Sequence, residues 1–218
     1  MSTVLSWSGG KDSLMVLKGL LQNDHEVTLL TTITEEGGVS GHGVRREVLE
    51  KQASALGLPL HVVTLPRPSP NGVYEREVRG ALEQLRAEGA THAAFGDLFL
   101  EGHKTYREKL VAPLGLTSMF PLWRRDSGEL VREFLAQGFK AVTVCVNGRV
   151  LARDFVGREL NEGFLRDLPE GVDLCGENGE FHTLVYGGPL FERGLELDLG
   201  EITFDERFYW CEVQVRST

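Results

Sequence analysis

Cysteine is scarce in this chain, and the three present, Cys145, Cys175 and Cys211, stand far apart with no C-x-x-C pair. That excludes a disulfide framework and a zinc ribbon, and it suits a reducing compartment. Cys145 in "KAVTVCV" and Cys211 in "FYWCEV" read as small core hydrophobes, whereas Cys175 lies among Gly and Glu. Long apolar runs are missing as well: none approaches the roughly 20 residues that cross a bilayer. Lys11 and Asp12 interrupt the apolar stretch at the start, so there is no signal-peptide pattern. A cytoplasmic protein with no membrane partner is expected. Positive charge is thin: the net charge is −9 and no Lys/Arg run exceeds two residues. Nonspecific affinity for nucleic acid comes from neutralising phosphates, so nucleic acid is not an expected partner. Internal repeats, low-complexity segments and a Pro/Gly/Ser linker are also lacking.

What remains is the composition of a globular chain: 218 residues, 41% hydrophobic and 25% charged, enough for one large domain or two modest ones. Along the first half, β-branched apolar runs alternate with amphipathic segments. "TVLSW" (3–7), "EVTLLTTI" (26–33), "LHVVTL" (60–65) and "THAAFGD" (91–97) read as strands. Between them, 13–22, 44–57 and 74–89 read as helices, the last two ended by Gly57 and Gly89. A shorter helix in "YREKLVAPLG" and a strand end in "TSMFPLW" follow. This spacing implies βαβ units and a parallel sheet. After Trp123 the texture changes to a helix at 127–138, a strand "FKAVTVCV", a helix ended by Pro169, and a strand-rich tail from Glu180. The expected division is 1–124 for an α/β nucleotide-binding unit and 125–218 for a smaller α+β substrate-binding unit.

"VLSWSGGKDSLMVL" (4–17) places Ser8, Gly9, Gly10, Lys11, Asp12 and Ser13 between a strand and a helix. Two glycines let backbone N–H groups converge on an anion and permit positive φ where the strand turns. The following helix aims its free N–H groups and positive dipole end at the same spot. Lys11 adds a full charge, Ser8 and Ser13 add hydroxyls, and Asp12 is suited to hold Mg²⁺ or to cap the helix. Neither G-x-x-x-x-G-K-[ST] nor G-x-G-x-x-G fits this spacing. S-G-G-K-D-S in this strand–turn–helix setting resembles the PP-loop of the N-type ATP pyrophosphatases. That resemblance implies a HUP-like (Rossmann-type) fold and cleavage of ATP between its α- and β-phosphates.

A second unusual passage is "CGENGEFHTLVYGGPLF" (175–191), where Glu177, Glu180 and His182 crowd six residues between glycines. If Glu180 opens a strand, it shares a face with His182. Such a pair can bind Mg²⁺, hold an ammonium ion or move a proton, or it can simply decorate a surface strand. Gly96 and Asp97 follow the fourth expected strand, at the sheet edge where ligands of parallel sheets bind. His42, in the loop after the second strand, can reach the same crevice or lie in solvent. Glu101, His103, Tyr106 and Arg107 form a polar cluster beyond Asp97, in which Arg107 either meets a phosphate or carboxylate or makes a helix-surface salt bridge. Trp123 is expected to pack between the two parts.

The PP-loop, the G-E-x-G-E-F-H-T motif, "FGD" (95–97) and "FPLW" (120–123) together resemble the diphthamide synthetase (diphthine–ammonia ligase) family. Asn178 stands where that family usually carries Gly, and "GDLFLEGHKTYREKL" (96–110) is closer to its bacterial branch. The resemblance implies ATP-driven amidation: a carboxylate is adenylated, pyrophosphate leaves, and ammonia displaces AMP. It makes ATP and Mg²⁺ the cofactors, with Asp12 and Asp97 as metal holders. Lys11, Asp12, Asp97, Glu177, Glu180 and His182 become the catalytic set. Ser8, Gly9, Gly10, Lys11, Asp12, Ser13, His42 and Gly96 contact the nucleotide. The partners are ATP, ammonia and a carboxylate acceptor, which is diphthine on elongation factor 2 in an archaeal or eukaryotic host and an unknown small molecule or protein otherwise; a homodimer is allowed for. Two competing readings are another PP-loop enzyme, such as a tRNA sulfur transferase, and a nonenzymatic nucleotide-binding protein.

Overall fold

The computed structural model describes residues 1–34, 43–66 and 70–216. His42 lies outside the described residues. Five parallel strands, β1 (Ser2–Ser6), β2 (Glu26–Thr34), β3 (Leu60–Leu65), β4 (His92–Ala94) and β5 (Thr117–Met119), form one sheet in the order β3-β2-β1-β4-β5. Helices α1 (Lys11–Gln22), α2 (Arg46–Ala55), α3 (Asn71–Ala87) and α4 (Glu101–Val111) connect them. The order reverses at β1, whose neighbours are β2 and β4, and this switch opens a crevice at the strands' carboxyl ends. The expected α/β parallel sheet is therefore present. Helix α4 begins five residues earlier than "YREKLVAPLG" suggests, with Glu101 favourably placed in its first turn. It ends in a 3₁₀ turn at Ala112–Leu114, closed by Gly115 at φ +68°.

The second half supplies an antiparallel sheet, β7-β6-β9-β8, from β6 (Lys140–Asn147), β7 (Phe181–Gly187), β8 (Leu197–Phe204) and β9 (Phe208–Val215). Helices α5 (Ser127–Ala136) and α6 (Glu162–Asp167) accompany it. Helix α5 is capped by Asp126, whose Oδ1 accepts the Glu129 N–H at 2.8 Å. Ser127, the first helical residue, instead donates its hydroxyl to Asp173 Oδ2 at 2.6 Å.

The two sheets share one core. Leu5, Leu14 and Leu17 of the first half lie in the same buried cluster as Phe134, Val144, Phe181 and Leu184 of the second. Each such side chain contributes about 1.5–3 kcal/mol on burial, so β7 is held firmly against α1. A separate cluster, including Val4, Leu30, Val78 and Leu82, fills the other face of the parallel sheet. Cys145 and Cys211 are buried apolar residues, as their settings suggest. Trp123 takes a different place from the one expected: it packs edge-on against Phe120, under the Lys104 ammonium, both within the N-terminal half.

Candidate active site

The glycine-rich turn leaves β1 and enters α1 at Lys11, two residues before the sequence-based start of that helix. Gly9 sits at φ +79°, and a Cβ there would come within 2.7 Å of Leu49 Cδ2 and 2.9 Å of Gln52 Oε1. Only glycine satisfies both constraints. The Gly9 carbonyl accepts the Val185 N–H at 2.9 Å and Gln52 Nε2–H at 2.9 Å. The Lys11 N–H donates to Thr183 Oγ1 at 3.2 Å. Strand β7 thus braces the turn from behind. Ser13 Oγ donates to the Gly10 carbonyl at 2.9 Å, and Ser8 Oγ accepts a long bond from the Gly10 N–H at 3.3 Å.

In front of the turn lies a cavity of about 530 Å³. Ser8, Gly10, Lys11, Asp12, Ser13, Gly96, Asp97, Glu177 and His182 all line it. The structure therefore gathers residues from both ends of the chain in one cleft. Gly9 lies behind the lining, and Glu180 does not border the cavity.

The Lys11 ammonium pairs with Asp12 Oδ2 at 2.9 Å and donates to the backbone carbonyl of Cys175. Burial alone would lower its pKa, but Asp12 and the neighbouring acidic groups outweigh that, and the net direction is upward. Lys11 is a cation held ready in a buried place. Burial pushes the Asp12 carboxyl above the usual carboxylate range, against the opposing pull of Lys11. Its Oδ1 is buried without a hydrogen-bond partner.

Glu177 reaches across to the parallel sheet, where its Oε1 accepts the Leu98 N–H at 2.8 Å. Burial pushes its carboxyl up to about 7, with Asp12 and Asp97 adding to the shift. Glu177 therefore changes charge near neutrality. His182 moves the other way: burial, with Lys11 nearby, lowers it to about 4, so the ring is neutral at pH 7. Burial thus moves the two groups in opposite directions.

Glu180 lies one residue ahead of β7 rather than opening it. Its carboxylate accepts the N–H of Asp173 at 3.2 Å, the N–H of Asn178 at 3.0 Å and Asn178 Nδ2–H at 3.1 Å. It shapes the loop that presents Glu177. Gly176 turns that loop at φ +72°, where a Cβ would come within 2.6 Å of the Phe181 carbonyl. Cys175 donates its thiol to the Ser127 carbonyl at 3.2 Å, and burial pushes it up to about 12. No thiolate nucleophile is available there.

On the opposite wall, Asp97 Oδ1 lies 3.5 Å from His103 Nδ1, and its Oδ2 lies 4.0 Å from Arg107 Nε. Arg107 Nη1–H donates to the Tyr74 hydroxyl at 3.2 Å. Arg107 is three-quarters covered and borders the cleft, and its ion pair with Asp97 lies there.

Three supporting residues escape a reading of the sequence. Gln52 is fully buried and receives Trp7 Nε1–H at 2.9 Å while donating to Gly9 and Val185. The available signal was its position on the apolar stripe of α2 with Val48, Leu49 and Ala53. Asp173 Oδ1 accepts the N–H groups of Cys175 and Glu177 at 3.0 Å each; an Asp just ahead of a glycine turn is a recognisable loop-former. Thr183, whose hydroxyl meets Lys11, leaves no local signal.

Two family models account for nearly the whole chain: the diphthamide synthase N-terminal domain over residues 1–118 and the diphthamide synthase C-terminal domain over 126–217. The chain belongs to the diphthamide synthase family. The resemblance drawn from the motifs is borne out, and with it the expectation of an amide-forming ligase at the level of this family. Diphthine–ammonia ligase of Danio rerio is 26% identical over 89% of this chain and 85% of its own length. The Homo sapiens enzyme of that name is 26% identical over 89% and 82%. The Schizosaccharomyces pombe enzyme is 27% identical over 96% of this chain, which spans 38% of that longer protein. A solved structure described as a predicted subunit of a tRNA methyltransferase from Methanocaldococcus jannaschii matches 66% of this chain and 80% of its own, at 20% identity and a TM-score of 0.45. In this member of the diphthamide synthase family, the two matched regions meet at the cleft: the turn and Asp97 come from the first, and Glu177 and His182 from the second.

Proposed function

We propose that this chain is an ATP-dependent ligase that adenylates a carboxylate and amidates it with ammonia, releasing AMP and pyrophosphate. One observation carries the reading: Lys11 and the open end of α1 share a single cleft with Glu177, a carboxylate that changes charge near pH 7. The first pair suits a polyphosphate, and the second suits a proton released at nitrogen. A neighbouring cavity of about 210 Å³, walled in part by Val4, Leu30, Val78 and Leu82, suits a nucleobase and its ribose. A nucleotide laid from this cavity into the larger one brings its terminal phosphates over the turn.

In the first step an acceptor carboxylate oxygen attacks the α-phosphorus, and the bond from that phosphorus to the bridging oxygen breaks. Lys11 and the N–H groups at the start of α1 stabilise the charge gathered by the departing pyrophosphate. In the second step the nitrogen of ammonia attacks the acyl carbon, the bond to AMP breaks, and Glu177 accepts a proton from nitrogen. Neutral His182 supplies a hydrogen-bonding group beside it, and Glu180 holds the Glu177 loop in place.

Among the described residues no three Asp, Glu, His or Cys side chains form a ready-made metal site. A magnesium ion held through nucleotide phosphates requires only one or two protein carboxylates. Asp12, with its unpartnered buried Oδ1, fits that requirement, and Asp97 is the second candidate. When bound, Mg²⁺ supplies neutralisation of phosphate charge. Diphthine is the acceptor in the named relatives, and it is the proposed acceptor here where the host makes it; in a bacterial host a different carboxylate takes its place.

The test is product identity. With ATP, Mg²⁺, ¹⁵N-ammonium and a cell extract as the acceptor source, the protein should form equal amounts of AMP and pyrophosphate and a ¹⁵N-labelled amide. Lys11→Ala should abolish all three. ADP and phosphate as the products would overturn the assignment.

A further inference from the structure

Among the described residues, Lys11 and Arg107 are the lysine and arginine that border the main cleft, and Arg107 is not an ordinary surface charge. It lines both cavities, together with Ser6, Ser8 and Phe95, and so stands at the constriction between them. Its guanidinium lies 5.2 Å above the Phe95 ring and is tied to the Tyr74 hydroxyl. These two contacts fix the plane of the fork. Its Nε is buried with no hydrogen-bond partner, and Asp97 at 4.0 Å is a counter-charge beyond hydrogen-bond distance. An orphaned donor costs free energy unless something else satisfies it, and a planar guanidinium matches the oxygens of a phosphoryl group better than an ammonium does.

We infer that Arg107 is a catalytic residue that contacts the α-phosphoryl group, first in ATP and then in the acyl-adenylate. This rests on the nucleotide reading above, in which the nucleoside fills the smaller cavity and pyrophosphate lies over Lys11. The group joining them must then pass the constriction, within reach of Arg107 rather than of the turn. Lys11 and Arg107 thereby divide the work, one stabilising the leaving pyrophosphate and the other the phosphorus that is attacked. Asp97 keeps the guanidinium company without consuming its Nε donor.

Direct binding of adenosine, AMP and inorganic pyrophosphate to the full chain separates these roles. Arg107→Met should weaken AMP by about ten- to a hundredfold, the loss of charge-assisted hydrogen bonds. Adenosine and pyrophosphate should stay within about twofold of wild type. Lys11→Met should do the converse, weakening pyrophosphate and sparing adenosine. Should the methionine variant not fold, Arg107→Gln, polar and of similar length, is expected to show the same selective loss. AMP bound equally well by wild type and the Arg107 variant overturns the inference. So does a loss of adenosine affinity as large as that of AMP, since the side chain would then only shape the cavity. Failure of AMP and pyrophosphate to bind the wild-type protein overturns the nucleotide reading itself, and the inference with it.

Discussion

Glu177 and His182 illustrate how burial sorts side chains that share one short motif. Both line the cleft, yet burial raises the carboxyl to about 7 and lowers the imidazole to about 4. Burial penalises the charged form in each case, and the charged form is the deprotonated acid in one and the protonated base in the other. A group that accepts a proton must start without it. Turnover should therefore be low below pH 7, where Glu177 is protonated, and rise as pH passes through about 7. Glu177→Gln should lose that rising limb and lower kcat by about 10²- to 10⁴-fold, the usual contribution of a positioned base, while leaving ATP affinity nearly unchanged. A pH–rate profile of both proteins checks this; an unchanged limb in the variant would assign it to another group. Glu180 has a different task. Its three hydrogen bonds to the Asp173–Asn178 loop are structural, and Asn178 provides two of them, one through its backbone N–H and one through its side-chain amide.

At the scale of elements, the glycine-rich turn does not stand alone. Helix α2 and strand β7 clasp the Gly9 carbonyl between them, through Gln52 and the Val185 N–H. Gln52 commits its whole amide to this clasp, joining Trp7, just beyond β1, to Val185 of β7. Replacing it by Leu keeps the approximate size and strands the Trp7 N–H and at least one carbonyl. The cost is expected to be about 2–6 kcal/mol, from two buried groups left unsatisfied at about 1–3 kcal/mol each. Denaturant unfolding should read that loss. Pyrophosphate affinity should fall as well, because the turn loses its support; unchanged affinity would mean that β7 suffices to hold it.

The main cleft is built from both halves of the chain because the two sheets share a buried cluster. Leu14 and Leu17 of α1 and Phe181 and Leu184 of β7 belong to the same buried cluster, so neither sheet encloses its apolar face by itself. Residues 1–124 expressed alone should expose that face, bind a hydrophobic dye and melt without a cooperative transition. A sharp, dye-free transition would show that the parallel sheet is self-sufficient. The same packing places Glu177 against Leu98 and Thr183 against Lys11, contacts that span 79 and 172 residues of chain.

The strand–helix alternation, the parallel sheet, the turn at Ser8–Ser13 and the family were all legible in the residues, because each rests on local periodicity or on a contiguous motif. Helix ends shifted by a few residues, as at Lys11 and Glu101, where no side-chain cap marks the boundary. What sequence could not assign was the direction of each side chain in "CGENGEFHT": Glu177 into the cleft, Glu180 into its own loop, the Cys175 thiol toward Ser127. Nor could it place Gln52 beneath Gly9 or Arg107 at the junction of two cavities. Backbone propensity acts between neighbours in sequence and can be read there. The protonation of Glu177, the readiness of Lys11 and the burial of the Arg107 Nε depend on which distant groups are brought close and which water is excluded, and only the packed chain decides that.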